Sequence, residues 1–469
     1  MARETTGGSE IVSRDQLVGA LESGAKPKSE WRVGTEHEKL AFRTDDLGPV
    51  PYDGPGGIRA LLETMAGLLG WNIMEEEGRP IGLIDPLGVS AVTLEPGGQF
   101  ELSGAPTETI HQTCRELNAH LAQLRECAEP LGISFLGIGF SPLWSLSETP
   151  IMPKDRYRIM RDYMARVSRP VPRTADVVPG HPAGLDMMFR TCSVQANLDF
   201  ADEADMRTKM RVGSALQPIA TALFANSPFS DGKPNGFRSF RSEVWRYTDP
   251  ARTGILPFVF DDGFGFEAYV DWALDAPMYF VKRGDRLVEC AGASFRDLLA
   301  GKLDALPGER ATIADWHNHL STLFPEVRLK KVIEMRGADA GPWGEVCAVP
   351  ALWVGLLYDS DILEAASDLV GEWSADDIQA LRDAVPREGL KAEVVGRSVL
   401  EIATATVELA AEGLRRRGEL GSSGRDETVY LEPLLETVRT GRSLADRYLD
   451  AYENEWDGDL AELFRRMAF

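Results

Sequence analysis

Three short polar clusters carry most of the chemistry in this chain: Glu36-His37-Glu38, Gln99-Phe100-Glu101 and Glu334-Met335-Arg336. Each lies in a stretch that reads as a β-strand. Its two polar ends are two residues apart, so they share one face of a sheet. Carboxylates crowded on a strand face repel one another and are costly to desolvate. A divalent cation relieves that cost, and hard oxygen ligands suit Mg²⁺, with Mn²⁺ as the alternative. Arg336, two positions after Glu334, adds a natural phosphate contact. Glu95 and Gln99 share the parity of Glu101, but Glu101 sits inside its strand and is the better ligand candidate. Plainer readings stand beside these: an exposed strand edge for Glu36 and Glu38, the outer face of a hairpin for Glu95 to Glu101, and a self-contained ion pair for Glu334 and Arg336.

A second concentration is basic and aromatic: Arg238, Arg241, Trp245, Arg246 and Arg252. It either grips a carboxylate or phosphate through arginine forks or forms a solvated loop with local ion pairs. There is no P-loop, and Gly137-Ile138-Gly139 lacks the third glycine of a dinucleotide fingerprint. Any bound nucleotide must therefore be held by metal and arginines. His37 alternates to the face opposite its glutamate neighbours and reads as structural.

The elements that must position these groups are legible in outline. Helices over 10–30 and 56–70 flank a strand at 31–43, and a strand pair covers 90–103 around Pro96-Gly97-Gly98. A helix follows over 107–130, then a strand at 133–140. Residues 168–184 hold four prolines and two glycines and read as a surface loop or lid, with Met187–Arg190 leading into the next strand. From Thr191 to Phe200 the alternation is clean: Thr191, Ser193, Gln195, Asn197 and Asp199 face one way, apolar residues the other. A helix over 203–225, a strand over 327–336 and a mostly helical stretch from about 360 complete the pattern. Strands with one polar and one apolar face predict an α+β fold whose sheet is mainly antiparallel. Helices should cover the apolar face, leaving the polar face as the floor of an open cleft. Because the acidic clusters span positions 36 to 334, residues 1–469 read as one catalytic unit.

Bulk properties narrow the function classes. The chain has 469 residues, 43% hydrophobic, and a net charge of −23. That charge argues against a nucleic-acid or anionic-membrane binder. No apolar run reaches the length of a membrane span, and the N-terminal residues show no export signal. Five cysteines without a CxxC pair make no disulfide framework, so a cytoplasmic protein is expected.

Several long strings narrow the reading further: WRVGTEHEKLAF, LEPGGQFELSGAPTETIHQTC, RTCSVQANLDF and KKVIEMRGADAGPW. Over residues of about 30 to 360 the chain closely resembles the plant and proteobacterial type of glutamate–cysteine ligase, with a looser match beyond. The resemblance implies a glutamine synthetase-like fold, an antiparallel sheet forming an open funnel. It implies ATP-dependent joining of the L-glutamate γ-carboxylate to the L-cysteine amine through γ-glutamyl phosphate, the first step of glutathione synthesis. By motif it implies Glu36, Glu38, Glu101 and Glu334 as metal ligands and Arg336 at the transferring phosphate. Arg241 and Trp245 would hold glutamate, with Thr191, Gln195 and Asn197 lining the floor and Asp199 orienting them. Plant members carry two regulatory disulfides; Cys114 and Cys347 match one pair, while Cys290 lacks a partner because position 305 is alanine. Free thiols are the alternative for Cys114 and Cys347, and a monomer or homodimer is expected. A related ligase with another amine acceptor and a non-catalytic Mg-nucleotide-binding protein are the competing readings.

Overall fold

A long strand, β1 (Val33–Arg43), is the axis of the fold. The computed structural model describes residues 7–172 and 180–469, and the sheet around β1 has nine strands. In chain order the others are β2 (Asn72–Glu76), β3 (Arg79–Ile84), β4 (Ala91–Leu94), β5 (Phe100–Ser103), β6 (Ile133–Leu136), β7 (Ser193–Leu198), β8 (Val327–Leu329) and β9 (Ile333–Asp339). Their lateral order is β8-β9-β7-β1-β5-β4-β3-β2, with β6 pairing the far half of β1. Every one of these pairings is antiparallel, as the strand patterns predict. The sheet is open, with edges at β8 and β2. At the β2 edge, Glu77 and Gly78 both take positive φ in the tight turn to β3, and a register shift separates Met74 from Glu75.

Helices cover one face. Val194, Ala196 and Leu198 of β7 are buried in the same apolar cluster as Met210, Leu216 and Ile219 of the helix Glu203–Leu223. Leu352 and Leu356 of the helix Trp343–Leu357 join them. Burying each such aliphatic side chain is worth about 1.5–3 kcal/mol, which fixes the polar parity of β7 toward the other side. Leu40 and Phe42 continue the parity of Glu36 and Glu38, but they pack under Leu463 and Phe464 near the C-terminus. One face of β1 thus turns from acidic to apolar where the last helix covers it.

The helix Ile110–Ala128 starts on a capping box, the Thr109 side chain accepting from the Gln112 amide. It carries Cys114, which is disulfide-bonded to Cys347 on the helix Trp343–Leu357, with Cα atoms 5.9 Å apart. Cys127, Cys192 and Cys290 are free and buried. Non-reducing peptide mapping of the oxidised protein should recover the 114–347 link. Its loss in a Cys114→Ser variant should lower stability by about 2–4 kcal/mol, measured by denaturant melts under oxidising conditions.

Two local expectations are corrected. The stretch 327–336 is a hairpin rather than one strand, closed by the Lys330 amide donating to the Val332 carbonyl. Met187–Arg190 belongs to a helix, Ala183–Arg190, stabilised by an Asp186–Arg190 pair one turn apart (3.1 Å). Residues 173–179 of the proline-rich stretch lie outside the described residues.

Candidate active site

The polar face of the sheet is the floor of a cavity, and strand register decides what meets there. Glu38 lies directly opposite Glu101 across β1 and β5. Glu36 lies opposite Gln195 of β7, and Glu334 of β9 lies opposite Asn197. Glu36, Glu38, Glu101, Thr191, Gln195, Arg241, Trp245 and Arg336 all line this one cavity, as do Glu95 and Gln99. Residues up to 300 positions apart in sequence therefore share a cleft, as the sequence reading required.

One end of the cleft is acidic. Glu38, Glu95 and Glu101 lie within mutual electrostatic reach. Burial and the neighbouring Glu101 charge push the Glu38 carboxyl up to about 7, although the Ser193 amide donates to it at 2.6 Å. Burial, Glu101 and Glu38 push Glu95 well above the usual carboxylate range, and its Oε1 is a buried acceptor without a partner. Among the described residues no three acidic, histidine or cysteine side chains close around one point as a finished metal cage. Mg²⁺ usually takes one or two carboxylates and completes its shell with water and substrate phosphates. The oxygen-only donors, their repulsion and the unpartnered Glu95 oxygen fit such an ion.

The raised Glu38 carboxyl has a sign-definite consequence for the metal-free protein. Its ordinary value is 4.5, so between about 4.5 and 7 the folded state holds a proton that the unfolded chain has released. Stability therefore falls as pH rises through that window and levels off above it. A Glu38→Gln variant lacks this loss and should gain on the wild type by about 1–3 kcal/mol between pH 5 and 8. Paired denaturant melts in chelator would register it; a pH-independent difference would contradict it.

The other end is cationic, and here the structure departs from the simplest ligand reading. Glu334 is fully buried and does not itself line the cavity. Arg328 grips it with two bonds, Nε to Oε2 at 2.9 Å and Nη2 to Oε1 at 2.7 Å. Lys330 reaches Oε2 at 2.9 Å, and Arg336 reaches Oε1. Burial alone would raise this carboxyl, but the three cations hold it well below the usual range. Arg336 also donates to the Gln195 side-chain amide oxygen, Oε1, at 2.6 Å, which turns its guanidinium toward the floor. Arg328 and Arg336 face the cavity while Glu334 anchors them from behind.

The basic-aromatic patch splits in two. Arg241 is buried on the short helix Phe240–Trp245, where it donates to the Arg336 carbonyl at 2.7 Å and leaves its Nε unpartnered. The Trp245 indole N–H is likewise buried without a partner, at the cavity wall. Arg252 is instead consumed by Asp249 and backbone carbonyls, Arg246 by Glu243 and Asp383, and Arg238 by Asp446. These three are structural.

Other floor residues sort similarly. Asn197 does not line the cavity; its amide donates to Glu36 at 3.2 Å and braces that carboxylate. Gln99 ties the Gly97 amide to the Met188 and Thr191 carbonyls, fixing the strand turn against the helix Ala183–Arg190. Thr191 donates to the Met187 carbonyl at 2.6 Å. Asp199 is taken up by Lys26 (2.8 Å) and the Arg32 amide (2.6 Å) at the strand's far end, so it orients none of the floor residues. His37 is buried on the helix-covered side, 3.0 Å from Lys39 Nζ, as its parity predicts.

Sequence reasoning missed Arg328, Arg156, Tyr157 and a methionine wall of Met160, Met187 and Met188, all of which line the cavity. Arg328 was within reach: reading the turn at Lys330–Val332 would have set it opposite Glu334. The methionines come from helices beside the cleft, and nothing in their local pattern separates a cavity wall from a core.

The chain matches the family model for glutamate–cysteine ligase family 2 over residues 32–466. It belongs to that family. It is 50% identical over 460 residues to glutamate–cysteine ligase B, chloroplastic, of Oryza sativa subsp. japonica, covering 98% of this chain and 88% of the relative. The chloroplastic glutamate–cysteine ligase of Solanum lycopersicum is also 50% identical, covering 98% of this chain and 83% of the relative. A crystal structure of glutamate–cysteine ligase from Francisella tularensis in complex with AMP shares the fold, with a TM-score of 0.52 at 13% identity. That likeness covers 93% of this chain and 88% of the other. These relatives correct the cytoplasmic expectation, since the plant members are named as chloroplastic. Scarce cysteines speak only to redox environment; they do not separate one reducing compartment from another.

Proposed function

We propose that this family member joins the γ-carboxylate of L-glutamate to the amine of L-cysteine at the expense of ATP, through γ-glutamyl phosphate. One observation carries the reading: a single cleft has carboxylates at one end, arginines at the other, and unpartnered N–H groups of Arg241 and Trp245 between strands and helix. Phosphoryl transfer asks mainly for positioning and for neutralisation of charge on oxygen.

Arg241 offers its unpartnered Nε to the substrate glutamate while its Nη atoms hold the Arg336 and Gly337 carbonyls, and the Trp245 indole N–H gives a second fixed donor. Arg336 and Arg328 meet the oxygens of the phosphoryl group as it passes from ATP to the γ-carboxylate oxygen and ADP leaves. The amine nitrogen of cysteine then attacks the γ-carbonyl carbon, loses a proton, and phosphate departs. Gln195 holds Arg336 in line, and Asn197 does the same for Glu36. Mg²⁺, or Mn²⁺ in its place, would be held by Glu38 and Glu101 with Glu36 and Glu95 near, and would neutralise phosphate charge when bound. Glu334 joins that shell only if Lys330 leaves its Oε2. Segments from Glu36 to Arg336 share one sheet, which supports treating the chain as one catalytic unit.

The test is phosphate release from ATP and glutamate across a panel of amines. Cysteine should give the highest kcat/KM. Clear preference for another amine would reassign the acceptor, and tight Mg-nucleotide binding without turnover would favour a non-catalytic role.

A further inference from the structure

Glu334 carries more positive charge than one carboxylate needs. The Arg328 fork already satisfies both of its oxygens, yet Arg336 and Lys330 are added to the same group. Glu36 is the next negative charge felt by both arginines. Arg336 feels Glu38 as well, so three cations share three carboxylates here, but all three cations converge on Glu334.

The three cations differ in access. The side chains of Arg328 and Arg336 are 5% and 11% exposed, whereas that of Lys330 is 21% exposed. Lys330 lies at the turn between β8 and β9 and does not itself line the cleft, but it is two residues from Arg328, which does, on the parity that faces Glu334. Its ammonium is a point charge on a flexible stem. It can swing from Glu334 to an incoming oxygen while the Arg328 fork keeps Glu334 paired. The unpartnered Arg241 Nε and Trp245 indole N–H are donors enough for a substrate carboxylate; three clustered cations suit a chain of phosphates.

We propose that Lys330 is a binding residue for the phosphate chain of the nucleotide, the mobile third cation of a seat that Glu334 organises with Arg328 and Arg336. This deepens the ligase reading and rests on it.

The experiment compares wild type, Lys330→Gln, Lys330→Thr and Lys330→Arg. It measures equilibrium binding of a non-hydrolysable ATP analogue with Mg²⁺, binding of L-glutamate alone, and thermal melting. Losing one charge-assisted contact should weaken the analogue about tenfold in the Gln and Thr variants. Glutamate affinity should stay within about twofold, and arginine should restore most of the nucleotide affinity. An unchanged analogue affinity overturns the proposal, and lower melting with unchanged affinity would make Lys330 only a structural partner of Glu334. Weakened glutamate binding with intact nucleotide binding overturns it too. If wild type itself neither binds the analogue nor turns over, the ligase reading fails instead.

Discussion

Replacing Glu334 with glutamine should both stop turnover and weaken the fold. The carboxylate is fully buried under Arg328, Lys330 and Arg336. An amide of the same shape leaves those cations without their anion. Breaking a buried ionic group by removing one partner costs about 3–5 kcal/mol. The sequence motif alone suggests a ligand whose loss spares the fold; the cation cage says otherwise. Activity should fall because Arg328 and Arg336 lose the anchor that aims them at the cleft. Denaturant melts and phosphate release, measured on the same preparation, check both halves. A variant with wild-type stability would show that the cage contributes little.

Glu101→Gln should disturb the fold far less. Glu101 sits against Glu38 and Glu95, so removing its charge relieves repulsion on them, but its own carboxyl is held down at about 2 and that stabilisation goes with the charge. The Ser103 hydroxyl, 2.8 Å from Oε1, can donate equally well to an amide oxygen. The two effects oppose, so stability should shift by no more than about 1 kcal/mol in either direction. Activity should fall by about 10³-fold or more, because such chemistry is driven chiefly by electrostatic stabilisation of the transferring group. Weaker Mn²⁺ binding, followed by electron paramagnetic resonance of the free ion, ties the loss to the metal. Near-normal turnover would remove Glu101 from the metal site. Together the two variants separate the ends of the cleft: one glutamate holds cations in place, the other carries negative charge beside two further carboxyls.

The sheet and its polar face were legible because strand parity is a local property. Glu36, Glu38, Gln195 and Glu101 alternate with buried residues and arrive where alternation predicts. The cysteine pairing and the choice of Arg241 and Trp245 within the basic-aromatic patch came from likeness to a family, since nothing in local chemistry picks that arginine and that tryptophan from their neighbours. What escaped was non-local. The Lys330–Val332 turn hid Arg328 inside an apparently continuous strand. Asp199 shares the parity of Gln195 but lies at the end of β7 where Lys26 and Arg32 reach it first. Glu334 reads as a ligand until Arg328, nearby in sequence but across a hairpin, is seen to grip it.

The open sheet also has a colloidal side. Its β2 edge exposes unpaired backbone, and such rims invite another molecule's strand to zip on. Here the rim bears Glu75, Glu76 and Glu77 in succession, on backbone kinked by the register shift at Met74. Two copies meeting rim to rim would press like charges together, which weighs against that pairing.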